Sequence, residues 1–197
     1  MPRKRARIPK SIKDSILLEY NHKCAICGKE RPQLHHIDKN PNNNDPNNII
    51  PLCPNCHLTD QHNPTADIDM GILKLFRVYK DPILLTPQFY PIYRRFRYLY
   101  ELKENDLLQN ILAKANDLIG FIRSFNSGEY YAHQVEILLR DPLKRCQIEL
   151  HEIGTGKYGT TEDIMKKYVG IIKNNVKPAE HLLVEQLRYQ GWKHDAS

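Results

Sequence analysis

At 197 residues, with 41% hydrophobic and 26% charged residues, the chain has a globular composition and is long enough for a small domain beside a medium one. Its formal net charge is +6; no apolar run approaches the ~20 residues that span a bilayer, and MPRKRARIPKS lacks the apolar core of a signal peptide. These features exclude a disordered chain, argue against a membrane association and lead us to expect a cytoplasmic protein.

Charge is concentrated at the start. The first thirteen residues hold six Lys or Arg and no acid, and residues 1–66 carry ten basic against six acidic groups. Residues 67–197 are nearly balanced, nineteen against seventeen. A basic arm over 1–10 suits a polyanionic partner, because each Lys or Arg set against a phosphate releases a counterion. A short helix should follow, with Ser11 as N-cap, Asp14 at N3, an apolar stripe of Ile12, Ile16, Leu17 and Tyr20, and an end near Asn21.

The stretch CAICGKERPQLHHIDKNPNNNDPNNIIPLCPNCH, Cys24 to His57, holds most of the residues able to do chemistry. Cys24/Cys27 and Cys53/Cys56 form two Cys-x-x-Cys pairs, which in a reducing compartment read as a metal site before a disulfide. Four thiolates close the tetrahedral shell of Zn2+, so this ion should be structural in a domain too small to be comfortably stable unaided. The 25 residues between Cys27 and Cys53 leave room for a hairpin. Gln33 to Ile37 reads as a short strand with Leu34 facing in, and Ile49 to Leu52 as its return. Between them, Asp38 to Asn47 holds seven Asn or Asp and two Pro, a composition that favours turns and left-handed backbone. A two-turn helix should run from Pro54 and end at Asn63-Pro64. His22 and His62 read as surface residues.

Beyond Asp67 helical periodicity takes over. Ile68, Ile72, Leu75, Phe76 and Tyr79 form one stripe; Leu108, Ile111, Leu112, Ala115, Leu118, Ile119 and Ile122 form another, with Asn105 as expected cap. Further helices are expected over 129–140, 142–153, 161–173 and 178–190, the last with Pro178 in its first turn. Cys146 reads as a buried small hydrophobe. GTGKYGTT at 154–161 is not a phosphate loop, because His151 stands where the pattern needs Gly and Tyr158 where it needs Ser or Thr. In YPIYRRFRYLY, residues 90–100, aromatics alternate with Arg94, Arg95 and Arg97, a pattern shared by core helices and by nucleic-acid surfaces.

Taken in order, basic arm 1–10, ββα unit 11–66 and helical region 67–197 make an α+β protein. LHHID, the Asn-rich loop and NNIIPLCPNCH, framed by CAIC and CPNC, resemble the cysteine-bearing branch of the His-Asn-His (HNH) endonucleases over about residues 10–62. That resemblance implies a ββα-metal nuclease domain stabilised by zinc and followed by an all-α domain of unassigned role. It implies His36 as general base, His35 and His57 as ligands of a catalytic Mg2+, Mn2+ or other divalent ion, and Asn48 as a metal ligand or a brace of the loop. The activity implied is hydrolysis of DNA phosphodiester bonds. Many relatives carry Asp where His35 stands. Rival readings are a non-catalytic zinc module that binds nucleic acid or protein, and a nuclease subunit of a bacterial defence or phage complex. A homo-oligomer or protein partner would engage the helical domain.

Overall fold

The computed structural model describes residues 7–57, 69–87, 89–155 and 158–191. It is mostly helical with one two-stranded antiparallel sheet among the described residues, an α+β arrangement. The chain divides into two compact units, residues 1–85 and 86–197. This division falls later than the expected boundary at 66/67. The helix over Met70–Tyr79 lies in the first unit, where Arg77 binds residues of the opening helix and hairpin.

In the first unit, α1 (Lys10–Glu19) begins one residue before the expected cap. Pro9 in extended conformation is the N-cap, its carbonyl accepting from Lys13 N at 3.0 Å, and no side chain caps the helix, so Ser11 does not serve as one. The helix ends before Asn21: Asn21 and His22 are left-handed, and His22 N returns to Leu17 O at 2.7 Å, a Schellman-type closure. Of the expected stripe only Ile16 is fully buried. β1 (Gln33–His36) pairs with β2 (Ile49–Leu52) in the register Gln33↔Leu52, Leu34↔Pro51, His35↔Ile50 and His36↔Ile49. Leu34, expected to face in, is only half-buried; the adjacent Ile37 is fully enclosed, its N–H bound to Asn48 O at 2.8 Å. A helical turn, α2, starts at 54 and is described to 57; Asn63-Pro64 and His62 lie outside the described residues. α3 (Met70–Tyr79) is capped by Asp69, whose carboxylate accepts from Gly71 N at 2.8 Å, and buries Ile72, Leu73, Leu75 and Phe76.

The second unit contains α4 (Phe89–Phe96), α5 (Tyr98–Glu101), α6 (Leu108–Arg123), α7 (Gly128–Val135), α8 (Asp141–His151) and α9 (Thr161–Gly191). Ile111, Ala115, Leu118, Ile119 and Ile122 of α6 are buried as their spacing predicts. Its N-cap is Leu107 without a side-chain bond; Asn105 instead lies in the preceding turn, closed by Lys103 N to Asp106 Oδ2 at 2.9 Å. Gly128 is required where α7 starts, because a Cβ there would fall 2.1 Å from Ile122 O.

Two expected breaks are absent. The helices expected over 129–140 and 142–153 run on through a π-helical segment, Glu136–Arg140. Pro142 has no N–H for the Leu138 carbonyl, and Asn175 Nδ2 of α9 donates to that carbonyl at 2.8 Å. Likewise 161–173 and 178–190 are one helix with Pro178 in its interior. The proline costs about 3 kcal/mol of local helix stability, which the burial of Val176, Ala179, Leu183, Val184 and Leu187 offsets. α9 opens with a reciprocal cap, Thr160 N to Asp163 Oδ2 at 3.0 Å and Asp163 N to Thr160 Oγ1 at 3.2 Å, as befits a loop between helices. Cys146 is fully buried 3.8 Å from Met165 Sδ, and burial pushes its thiol up to about 11.

Candidate metal centre and histidine cluster

The four cysteines meet. Their sulfurs all lie within 4.8 Å of one another, with Cys27 Sγ and Cys53 Sγ 3.5 Å apart. Four sulfurs held about 2.3 Å from a tetrahedral ion stand about 3.8 Å apart, so the set matches zinc in number, chemistry and size. Both knuckles are built by backbone. In the first, Gly28 N bonds Cys24 O at 2.9 Å, Cys24 N bonds Lys29 O at 2.7 Å, and Gly28 takes φ +71°, a conformation glycine adopts without strain. In the second, His57 N bonds Cys53 O at 2.8 Å as α2 begins. Ala25 N to Pro51 O at 2.8 Å ties the first knuckle to β2.

The crowded sulfurs also perturb one another. The Cys56 backbone N–H, directed at the Cys53 sulfur, brings that thiol down to about 7. The Lys29 backbone N–H favours a Cys27 thiolate, but burial and the neighbouring Cys53 and Cys24 sulfurs carry Cys27 upward overall. Burial and the Cys27 and Cys53 sulfurs push Cys56 up strongly. Cys53 is thus favoured as a thiolate while Cys27 and Cys56 are disfavoured, a conflict that a bound dication would remove.

His35 and His36 end β1, and His57 lies in the first turn of α2. His35 is 2% exposed and its ring stands edge-on to His57, centroids 5.1 Å apart. Burial, with His57 and His36 adding to it, holds the His35 imidazole down to about 4, so it stays a neutral nitrogen donor at physiological pH. His36, also buried, places Nε2 3.1 Å from Asn44 Oδ1. Asn44 turns its Nδ2 to the Arg7 carbonyl at 3.5 Å, which leaves Oδ1 facing the imidazole. Nε2 is therefore the donor, and the ring lone pair sits on Nδ1.

Asn48 is committed to the loop. Its Oδ1 accepts from Asp38 N at 3.0 Å, and its Nδ2 donates to Asp38 Oδ1 at 2.8 Å and Asn43 O at 3.0 Å. Burial opposes it, yet side-chain bonds from Asn43 and Asn48 hold the Asp38 carboxyl below its usual range. The loop is a run of Asx turns: Asn40 N to Asp38 Oδ1 at 2.8 Å, Asn42 N to Asn40 Oδ1 at 3.1 Å, Asp45 N to Asn43 Oδ1 at 3.2 Å and Asn47 N to Asp45 Oδ1 at 2.9 Å. Its left-handed residue is Lys39, not one of the Asn or Asp residues.

Sequence reasoning missed two contributors. Asn44, one of five Asn in the 38–47 loop and alike in sequence to those that make Asx turns, instead orients His36. Arg77, in an apolar stripe of α3, is 7% exposed and clasps Glu19 at 2.8 and 2.7 Å while its Nε reaches Ile49 O at 3.0 Å. It thereby fastens α1 and β2 behind the histidines. His22 is exposed, as expected. Arg7 is the member of the basic arm that touches the site; Arg3, Lys4 and Arg5 lie outside the described residues. No helix among the described residues is long and apolar enough to cross a membrane. No protein-family model, curated protein or solved structure matches the chain.

Proposed function

We propose that the N-terminal unit is a metal-dependent endonuclease of the HNH kind that hydrolyses DNA phosphodiester bonds. The observation that carries this reading is the meeting of the His35 and His57 rings, centroids 5.1 Å apart, with His36 next to His35 on β1, in the unit that also gathers four thiols. A structural zinc alone accounts for the cysteines and leaves three histidines, two of them buried, without a task. In a ββα-metal arrangement each has one.

His36 is the general base. With Nε2–H donated to Asn44, its Nδ1 lone pair takes the proton of a water, and the hydroxide attacks phosphorus in line with the leaving 3′ oxygen. His35 and His57 would hold a divalent ion, Mg2+, Mn2+ or another, whose chemistry when bound is to draw negative charge off the phosphodiester. Asn48 and Asp38 brace the loop that carries Asn44, so they act on the orientation of His36. Arg7 and the remainder of the basic arm supply phosphate contacts.

The test is plasmid nicking by the purified chain with added Mg2+, Mn2+, Co2+ or Ni2+, beside His36→Ala. Nicking by the wild type and a loss of about 10²–10⁴-fold in the variant, with DNA affinity little changed, is the expected result. Plasmid left intact under every ion would replace this reading with a non-catalytic zinc module that binds nucleic acid or a protein partner.

A further inference from the structure

The run YPIYRRFRYLY is divided by its fold. Tyr93, Phe96 and Tyr98 are core, 4%, 2% and 8% exposed, whereas Tyr90 and Tyr100 stay about half exposed. Arg94, Arg97, Tyr98 and Glu101 recur at intervals of three and four on α4 and α5, and with Lys114 and Asp117 of α6 they line a cleft of about 590 Å³ within the C-terminal unit.

Charge in this cleft is unbalanced. Arg97 pairs with Glu101 at 2.9 Å and Arg95 with Asp117 at 3.1 Å, which uses both carboxylates. Arg94 and Lys114, both exposed, have no ion-pair partner among the described residues, and Lys114 Nζ sits 5.7 Å from the Tyr98 ring centroid. One buried donor is also unspent: the Tyr98 hydroxyl has no hydrogen-bond partner among the described residues. A buried donor ordinarily has an acceptor, and here the surplus charge calls for an anionic one.

We propose that this cleft binds the phosphate backbone of a nucleic acid. The Arg94 guanidinium and the Lys114 ammonium meet successive phosphates, the Tyr98 hydroxyl donates to a phosphate oxygen, and Tyr90, one helical turn before Arg94, offers an exposed ring for a base. The cleft, about 590 Å³, is far larger than a single phosphate ion, which suits a polymer. This goes beyond the nuclease reading, since it assigns a ligand to the helical unit and does not depend on cleavage.

The experiment is fluorescence anisotropy of a labelled DNA duplex with the full chain, without added divalent ions, over a series of salt concentrations. Arg94→Ala combined with Lys114→Ala should weaken binding at least ~10-fold and reduce the slope of log affinity against log salt by about 2. Tyr98→Phe should weaken binding several-fold without lowering the melting temperature, because it removes only an unpartnered hydroxyl. Wild-type affinity and slope in both cleft variants would overturn the proposal, whatever the nicking assay reports. Displacement of the duplex by equimolar inorganic phosphate would likewise overturn it in favour of a small-anion site.

Discussion

The two units of this protein are held together by different means. In the second, stability rests on apolar stripes that meet over long helices: Leu118, Ile122, Ala132, Val135, Leu139 and Leu183 are essentially without exposure. In the first, a hairpin of two four-residue strands and short helices contribute fewer of the fully buried apolar side chains, and polar groups close the structure: Arg77 on Glu19 and on backbone carbonyls, Asn48 on Asp38, and the cysteine cluster. A unit organised this way keeps polar, chemically active side chains in its interior, His35 and His36 among them. The cost is dependence on a few specific contacts.

The largest expected effect breaks that dependence at its strongest point. Structural zinc contributes about 10–16 kcal/mol of binding free energy, as much as a whole domain's stability. Cys53→Ser should therefore lose its metal and unfold the first unit while the second keeps its hydrogen-exchange protection. Metal analysis after dialysis, with exchange read peptide by peptide, checks it. A first unit that stays folded and metal-loaded without Cys53 would erase the contrast.

The converse change is Leu118→Ala. Truncating a fully buried leucine costs about 2–5 kcal/mol, which should fall on the second unit. Protection should drop across α6 to α9 with zinc content unchanged. Loss of metal in this variant would mean that the units do not behave separately.

A smaller effect sharpens the account of the first unit. The hydrogen bond from Arg77, helped by Lys80, holds the Glu19 carboxyl below its usual range despite partial burial. A carboxyl with a lowered folded value adds stability above its unfolded pKa and loses it as pH falls through the folded one. Glu19→Gln should cost about 1–3 kcal/mol at neutral pH and flatten the acid limb of a urea-denaturation series. An identical acid limb in both proteins would show that the Arg77 clasp is not what fastens α1.

The smallest effect tests the proposed pairing of His35 and His57 as ligands of a divalent ion. Two imidazoles favour Mn2+, Co2+ or Ni2+ over Mg2+, whereas a carboxylate oxygen suits Mg2+. His35→Asp should move the ranking of nicking rates several-fold toward Mg2+, read from titrations with each ion. An unchanged ranking would remove His35 from the ligand set.

What the sequence determined by itself was whatever a short spacing encodes. Two Cys-x-x-Cys pairs around a hairpin-length insert imply one thiol cluster, short runs on either side of a turn-rich segment mark β1 and β2, a period of 3.6 marks α6, and an Asn-rich run between strands implies turns. The seat of Cys146 was legible for the same reason, as an apolar position in a helix. What only the tertiary structure decided depends on partners distant in the chain. Pro142 and Pro178 read locally as breaks, yet Asn175 caps the orphaned Leu138 carbonyl and burial along α9 outweighs a proline's local cost. Arg77 looks like a charge misplaced on an apolar stripe until Glu19, 58 residues earlier, receives it. Asn44 is indistinguishable in sequence from its neighbours, and becomes the partner of His36 only because the loop folds back over β1. Local patterns carry local free energies of a kilocalorie or so each; which of them prevail is settled by long-range burial and pairing, and these exist only once the chain has folded.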